Sequence, residues 1–290
     1  MNYDKLNPFF QNLETDYLYH LGFDSSQNLE QMFGDVEYVI LTRSFNNADT
    51  IANEFARKFY NVKDIDIRCK TIGKRERYHI HKIHNSLIVS HGIGAPSLLI
   101  CLNEVAKLLW HAKVKSPKFF RVGPSGGLGV NPGHIVVGTE AVTNTLKAQF
   151  ESIEFGQIHY YPTQFCPNLA EKFIKATSLA EDCSVINGKI VGGMGYYNGQ
   201  ARLNGAMALN YTREEQQQYL KKAYEQGVRS FDMESIGFAG FCNQLEIPCC
   251  EINAVLVDRF LTDEVYISKQ EQITHFKKAA KLVIDYVINY

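Results

Sequence analysis

The chain has 290 residues, of which 45% are hydrophobic and 21% charged, and its formal net charge is −1. This length allows a substantial core in one large domain or two small ones, and the near-neutral balance without a Lys/Arg run argues against nucleic acid as the main partner. We expect no signal peptide and no membrane partner, because no run approaches the roughly 20 apolar residues that cross a bilayer. Seven scattered cysteines without a Cys-x-x-Cys pair fit reduced thiols and a cytoplasmic location.

The first 34 residues are polar and aromatic with little periodicity, and a histidine in such a context, His20, typically packs or faces solvent. Val36 to Leu41 then reads as a buried strand of a parallel sheet. Ser44, Asn46 or Asn47 can cap the following helix, whose apolar residues at Ile51, Phe55 and Phe59 have helical spacing.

Two β segments, Ile65 to Ile72 and Tyr78 to Ile83, are predicted to form a hairpin around residues 73–77. His79 and His81 share one face of the second segment, which could in principle hold a metal ion. His84 would point to the opposite face of the strand, because successive side chains alternate. No cysteine or aspartate lies at a useful spacing from His79 and His81 along the chain. We therefore predict no metal site.

A further strand, Ser86 to Ser90, leads through a glycine turn into a helix that begins near Pro96. The turn contains Gly92 and Gly94 but lacks the third glycine of a dinucleotide fingerprint. A nicotinamide site is therefore not expected.

The central stretch runs from Lys118 to Glu140. A buried strand, Phe119 to Val122, is predicted to break at four glycines and to resume at His134; the glycines are Gly123, Gly126, Gly127 and Gly129. Arg121 would lie at the carboxyl end of this strand, where open α/β sheets bind ligands. A cation beside a glycine turn suggests an anion site, although an ordinary glycine-rich turn gives the same pattern.

Strands and helices alternate through the rest of the chain, without a linker or an internal repeat, which predicts one α/β domain. The remaining predicted elements are a helix over 168–179, a strand over 185–194, a polar loop over 195–202, a helix over 213–226, a strand over 229–233, a helix over 234–245, a strand over 248–257 and a helix over 270–290.

Polar residues at the predicted strand ends can recognise parts of a nucleoside. Gln200 and Arg202 can pair with a cyclic imide edge, because the amide oxygen accepts from the ring N–H while amide and guanidinium hydrogens donate to carbonyls. Glu234 can accept from two vicinal hydroxyls. With the anion site at Arg121, these features describe a pyrimidine nucleoside and phosphate, whereas each of them alone would suit a polar loop or a solvated carboxylate.

Over about residues 16–259 the sequence resembles the uridine phosphorylases of the nucleoside phosphorylase superfamily, and its eukaryotic dimeric branch above all. The resemblance rests on Tyr19-His20, Ser90-His-Gly-Ile-Gly-Ala-Pro-Ser97, Phe120-Arg-Val-Gly-Pro-Ser-Gly-Gly127, Gly199-Gln-Ala-Arg202 and Asp232-Met-Glu-Ser235. It implies a single domain over 35–290 with a mixed central β-sheet flanked by helices, and a homodimer to which residues 1–34 contribute. It also implies phosphorolysis of uridine to uracil and ribose 1-phosphate without a cofactor.

The resemblance assigns roles by position. Gln200 and Arg202 would hold uracil and stabilise the departing anion, and residues that line the faces of the base would be Tyr196, Leu256 and Val257. Met233 and Glu234 would hold the ribose, and Arg121 and Ser125 the phosphate. His20 and Arg77 match positions that reach into the neighbouring subunit's site, toward ribose and phosphate respectively.

The departures from the family cluster at the phosphate. Thr42-Arg43 replaces a glycine pair, Asn47 replaces a phosphate-binding arginine, and Pro124 replaces a threonine that donates both its hydroxyl and its backbone N–H. Proline supplies neither donor. Arg43 could restore some of the lost charge.

Two milder departures are Asp232, where the family has glutamate, and Asp258, where the pyrimidine enzymes carry asparagine. Three hypotheses follow: a uridine phosphorylase, weak or inactive; a non-catalytic protein that binds a nucleobase or nucleoside, or pairs with an active subunit; and a nucleosidase that uses water instead of phosphate.

Overall fold

The computed structural model describes residues 1–63, 65–73, 77–177 and 184–290. Its α-helices are α1 (Pro8–Gln11), α2 (Leu29–Phe33), α3 (Phe45–Phe59), α4 (Ala95–His111), α5 (Pro167–Thr177), α6 (Arg213–Glu225), α7 (Ser235–Gln244) and α8 (Lys269–Asn289). Its strands are β1 (Tyr17–Leu18), β2 (Phe23–Asp24), β3 (Tyr38–Thr42), β4 (Ile80–Ile83), β5 (Ser86–Ser90), β6 (Lys118–Gly127), β7 (Ile135–Val142), β8 (Gln149–Glu154), β9 (Gln157–Pro162), β10 (Val185–Gly192), β11 (Val228–Asp232) and β12 (Cys249–Asp258).

Eight strands form one mixed sheet in the order β11-β10-β7-β12-β6-β3-β5-β4. The strand β11 also pairs with β6 in antiparallel fashion, so that β6, β12, β7, β10 and β11 close into a ring. The strands β3, β5 and β4 extend from β6 as an open arm. This mixed sheet in a single α/β domain confirms the predicted fold class.

Helices cover both faces of the sheet because its strands are apolar on both sides, as in β3 and β5, where every residue is buried. On one face α4 and α7 pack over the sheet together with apolar residues from the N-terminal segment, including Leu18 and Phe33. On the other face α3, α5 and α8 enclose a second core around Phe120. Among the described residues, no helix is both long and apolar enough to span a membrane.

Two predictions near the sheet are wrong. The strand β6 does not break after Val122 but continues through its glycines to Gly127, because β12 pairs with it as far as Gly127. Ile65 to Ile72 forms no strand; β4 pairs instead with β5 across a turn in which His84 has a φ of 49°. Residues 74–76 of the predicted hairpin connection lie outside the described ranges.

The other predicted elements are present with shifts of a few residues at their ends. The helix predicted over 168–179 is α5, and its predicted last two residues lie outside the described ranges. One hairpin, β8 with β9, has no counterpart in the sequence analysis. It packs on α7, and Gly240 of that helix gives Phe150 of β8 the room to approach.

Candidate active site

Arg121 lies in the middle of the sheet with its side chain fully buried among four polar groups. Its Nη1 donates to Asp232 Oδ2 at 3.0 Å and to Glu251, its Nη2 donates to Glu234 Oε2 at 2.5 Å, and its Nε donates to His91 Nε2 at 3.2 Å. Burial alone would lower the pKa of Arg121, but the three carboxylates raise it above its usual value. The guanidinium is therefore a permanent charge, and four of its five N–H donors are engaged in these contacts.

Glu251 contacts Arg121 because the register of the parallel strands β12 and β6 sets the two residues side by side. Burial raises the pKa of Glu251 well above its usual value, and the Arg121 charge opposes this shift. Its Oε2 is buried without a hydrogen-bond partner among the described residues. Glu251 was not among the predicted site residues, although a lone acidic residue in an otherwise apolar strand was a usable signal.

Asp232 and Glu234 reach the cluster from the junction of β11 and α7. Asp232 Oδ1 accepts from the backbone N–H groups of Glu234 at 3.1 Å and Ser235 at 3.0 Å, so it orders the start of the helix. Glu234 Oε1 accepts from the backbone N–H of Gly94 at 2.6 Å. Each Glu234 oxygen thus has one donor, and a carboxylate can accept further hydrogen bonds from hydroxyls.

His91 completes the cluster as a neutral acceptor. Burial, and next the Arg121 charge, lower the pKa of His91 well below its usual value. Because its Nε2 accepts from Arg121, the proton of the neutral ring lies on Nδ1, which is buried without a partner among the described residues. One guanidinium therefore faces three carboxylates and a neutral ring, and the cluster stays anionic in total even when Glu251 is protonated.

A cavity of about 450 Å³ opens beside this cluster. Its size is in the range of small-molecule sites. It is lined by predicted site residues, namely Pro124, Ser125, Tyr196, Gln200, Arg202, Met233, Glu234, Leu256 and Val257. Its lining also includes Arg43 and Asp232, together with residues that the sequence analysis did not select: Ile93, Gly126, Phe231, Val265 and Gln272.

Gln200 and Arg202 form one wall of the cavity on either side of Ala201, whose φ of 52° is left-handed. The Gln200 side-chain amide donates to the Asp232 carbonyl at 3.1 Å. The Arg202 guanidinium lies 4.1 Å from the ring centroid of Tyr196 and donates to the Asp263 carbonyl. Burial, and next the charge of a neighbouring arginine, lower the pKa of Arg202, and its buried Nε has no partner among the described residues.

One wall of the cavity lies at a gap beside β6, where Pro124 and Ser125 belong to the lining. The strand β3 pairs with β6 as far as Val122, and β11 begins to pair at Gly126. At Gly123, Pro124 and Ser125 the strand β6 therefore pairs with β12 on one edge and with no strand on the other edge. A proline is tolerated there because one edge of the strand needs no donor. Ser125 Oγ is buried and has no hydrogen-bond partner among the described residues.

The other predicted phosphate residues do not line this cavity. Thr42 is buried and its hydroxyl donates to the Val122 carbonyl at 2.9 Å, while the Asn47 backbone N–H donates to Ser44 Oγ at 3.3 Å in the first turn of α3. Asp258 is also turned away, since its Oδ1 accepts from the Gly129 backbone N–H at 3.1 Å. The exposed Arg43, by contrast, is part of the lining.

His20 and Arg77 also lie away from the cavity of their own chain. His20 Nδ1 is 2.5 Å from Glu104 Oε1, and its backbone N–H donates to the same carboxylate. Arg77 is exposed, with its guanidinium 5.8 Å from the ring centroid of Tyr78.

A larger cavity, of about 830 Å³, lies elsewhere on the molecule. It is bordered by the N-terminal residues, α4 and α7, and its lining includes Phe9, Lys107 and Gln244. None of the predicted site residues lines it, so the chemistry of the described residues favours the smaller cavity.

Comparison with known proteins decides the family. Residues 37–289 match the family model described as the Phosphorylase superfamily. The chain belongs to this superfamily. The uridine and thymidine phosphorylase of Caenorhabditis elegans is 33% identical over 289 residues, which cover 99% of this chain and 95% of that protein. The predicted resemblance to eukaryotic uridine phosphorylases is thereby confirmed.

Two relatives from Schistosoma mansoni bear on the site. The crystal structure of its uridine phosphorylase in complex with uracil superposes on this member of the superfamily with a TM-score of 0.92 and 30% sequence identity, and the match covers 97% of this chain and 98% of that chain. The inactive uridine phosphorylase B of the same organism is 30% identical, and the match covers 97% of this chain and 95% of that protein. The similarity thus extends both to a uridine phosphorylase that binds uracil and to a protein named as inactive.

Proposed function

We propose that this protein is a uridine phosphorylase-like enzyme that converts uridine and phosphate reversibly to uracil and ribose 1-phosphate, and that its phosphorolysis is slow. The observation that carries the proposal is the single cavity that joins Gln200 and Arg202 to Glu234. The relatives named as acting on uridine or as binding uracil support the same substrate class. The reaction needs no cofactor.

Base recognition falls to Gln200 and Arg202. The Gln200 amide oxygen accepts from the imide N–H of uracil, and amide and guanidinium hydrogens donate to the two carbonyls. The glycosidic bond breaks as the sugar gains oxocarbenium character, and the electron pair of that bond stays on uracil. Arg202 stabilises this departing anion, and it does so strongly because its guanidinium is buried. Tyr196, Leu256 and Val257 line the faces of the base.

The sugar is held by Glu234 and Met233 in the same cavity. Glu234 accepts from the ribose hydroxyls, and its bond to the Gly94 N–H and its contact with Arg121 fix its position. A phosphate oxygen then bonds to the anomeric carbon. We assign phosphate binding to Ser125, whose buried hydroxyl lacks a partner among the described residues, with Arg121 behind it and Arg43 in the same cavity lining.

We also propose a homodimer with a cytoplasmic location. His20 and Arg77 do not line the cavity of their own chain, which suits their assignment to the neighbouring subunit's ribose and phosphate. The segment 1–34, which carries His20, would belong to that interface. The cysteines of the described residues are free thiols, which fits the proposed compartment. Light scattering should give about 66 kDa, twice the chain mass of 33.0 kDa.

A second candidate function is binding of a nucleobase or nucleoside without turnover. The specific observation in its favour is that the Arg121 guanidinium already donates to three carboxylates and to His91. Phosphate that approaches this cluster meets a net negative charge. The inactive relative from Schistosoma mansoni is a precedent in the same superfamily.

Uracil release from uridine, measured with and without phosphate beside uracil binding by calorimetry, separates these functions. Slow turnover that depends on phosphate supports the main proposal. Uracil binding without turnover supports the second candidate, and turnover indifferent to phosphate would identify a nucleosidase. Absence of both binding and turnover would contradict every function assigned to this cavity.

A further inference from the structure

A cluster of two histidines and an aspartate lies outside the candidate active site. The sequence analysis dismissed a metal at His79 and His81 because no acidic residue lay at a useful spacing. The fold supplies one: Asp49 of α3 has its Oδ1 2.8 Å from His81 Nε2 and 3.2 Å from His79 Nδ1. The ligand atoms of the three residues lie within 4.8 Å of one another.

The hydrogen-bond geometry of His81 points to a cation. Its Nδ1 is 3.2 Å from the Lys70 carbonyl, which can only accept, so the proton of a neutral ring belongs on Nδ1. The lone pair of Nε2 then faces the Asp49 carboxylate, which is also an acceptor. A metal ion bound by both atoms would use the Nε2 lone pair and the carboxylate oxygen together.

The surroundings match those of a metal ligand. A histidine that binds a metal usually donates its other ring N–H to a backbone carbonyl, as the His81 contact with Lys70 would. Phe45 stacks on the His79 ring at 4.0 Å with an interplanar angle of 3°, and Ser90 Oγ accepts from the His79 backbone N–H. Both imidazoles are therefore held in place before any ion binds.

The distances also suit a small ion. Ligand atoms about 2.0–2.1 Å from a tetrahedral Zn²⁺ are separated by about 3.3 Å, close to the 3.2 Å between His79 and Asp49, whereas the 2.8 Å between His81 and Asp49 requires the carboxylate to move away by about 0.5 Å. His81 is fully buried, whereas 39% of the Asp49 side chain is exposed, so the carboxylate can adjust and water can supply a further ligand. A donor set of two imidazoles and one carboxylate suits Zn²⁺ or Ni²⁺ better than Mg²⁺ or Ca²⁺.

We propose that Asp49, His79 and His81 form a binding site for one divalent transition-metal ion, which ties α3 to the edge strand β4. The site is separate from the nucleoside cavity, whose lining includes none of the three residues.

The test is titration of the metal-free full-length protein with Ni²⁺ and, separately, with Zn²⁺. Ni²⁺ is included because the free cysteines attract Zn²⁺ more strongly than Ni²⁺. We expect one ion per chain, and an excess of about 100 times the dissociation constant should raise Tm by about 5 °C. Asp49→Asn and His79→Gln should each weaken binding by about a hundredfold or more, since each removes a ligand.

The matched control is His84→Gln, which removes an exposed histidine that stacks on Phe59 and does not belong to the cluster. It should bind the ion like the unaltered protein. Asp49 and His79 are both partly exposed, so at least one of their variants should fold, as circular dichroism will verify. Absence of saturable binding of both Ni²⁺ and Zn²⁺, or equal binding by both ligand variants and the unaltered protein, would overturn the proposal.

Discussion

Pro124 is the residue with the clearest chemical consequence for the candidate active site. It lines the cavity, and it supplies neither a hydroxyl nor a backbone N–H to an anion there. Each hydrogen bond to an anion contributes roughly 1.5–3 kcal/mol, or about one to two powers of ten in rate. Asn47, on the first turn of α3, stands where the family has an arginine, so a guanidinium is lost as well.

We predict that Pro124→Thr combined with Asn47→Arg raises phosphate-dependent uracil release by about a hundredfold or more, because it restores two donors and one charge. Steady-state kinetics at varied phosphate will measure the gain. Pro124→Ala is the matched control, since it restores the backbone N–H but no hydroxyl, and it should give a smaller gain. An unchanged rate in the double variant would show that another group limits the reaction.

Glu251 is a further residue that we expect to oppose phosphate binding. We predict that Glu251→Gln raises phosphate affinity by about tenfold at a pH where Glu251 is ionised, because it then removes one of the three negative charges that face Arg121 and keeps an acceptor for its Nη1. Calorimetric titration with inorganic phosphate will measure it. Glu140→Gln is the control, since Glu140 pairs with Lys189 away from the cavity. Equal phosphate affinity in all three proteins would contradict this role of Glu251.

The effect of Glu251→Gln on the free energy of unfolding should depend on pH. The pKa of Glu251 is raised in the folded protein, so the folded state binds more protons than the unfolded state above about pH 4.5, and stability falls as pH rises through this window. The lowered pKa of His91 acts in the opposite direction below about pH 6.5 and is common to both proteins. Urea unfolding at pH 5 and pH 8 should therefore show that the advantage of Glu251→Gln in free energy of unfolding grows with pH.

At the scale of residues, the sequence predicted that residues which follow the ends of strands would share a site. It did not predict contacts between side chains that are far apart in the chain. Gln200, Arg202 and Glu234 share a cavity because they follow different strands at the same end of the sheet. The contacts of Arg121 with Glu251 and of Asp49 with His81 join residues 130 and 32 positions apart. Local patterns contain no information on that pairing.

At the scale of elements, the β8–β9 hairpin was the largest omission. Its strands are mostly exposed, so they lack the apolar alternation that marks a half-buried strand. Its one buried anchor, Phe150, packs against Gly240 of α7, and that contact is tertiary. The segment Ile65 to Ile72 has a pattern that favours a strand, but its backbone contact with β4 is the bond from the Ile72 N–H to the Ile80 carbonyl at 2.8 Å, and no continuous ladder forms.

We predict that Gly240→Ala destabilises the protein by about 1–3 kcal/mol, because the added Cβ would lie 2.5 Å from Phe150 Cβ and would push the hairpin off the helix. Chemical denaturation will measure the free energy of unfolding. Gly237→Ala in the same helix is the matched control. Its Cβ would lie 3.1 Å from the Ala95 methyl, and the gain in helix propensity should offset this contact. Similar free energies of unfolding for the two variants would argue against the hairpin contact.

At the scale of the whole molecule, the nucleoside cavity and the proposed metal site lie in different parts of the sheet. Most of the cavity lining comes from β6, β11, β12 and the loop that follows β10, which belong to the closed ring or adjoin it. Arg43 and Ile93 of the lining follow the arm strands β3 and β5. The Asp49 cluster lies between α3 and the arm strand β4.

The closure of β11 onto β6 means that the arm can open while the ring stays intact. In native-state hydrogen–deuterium exchange we expect two cooperative units. The amides of β4 and β5 should exchange through an opening of lower free energy than the opening that exposes the amides of β12. Uracil should slow exchange in the ring alone, and Ni²⁺ in the arm alone. A single opening shared by both regions would mean that the molecule behaves as one cooperative unit despite its two-part sheet.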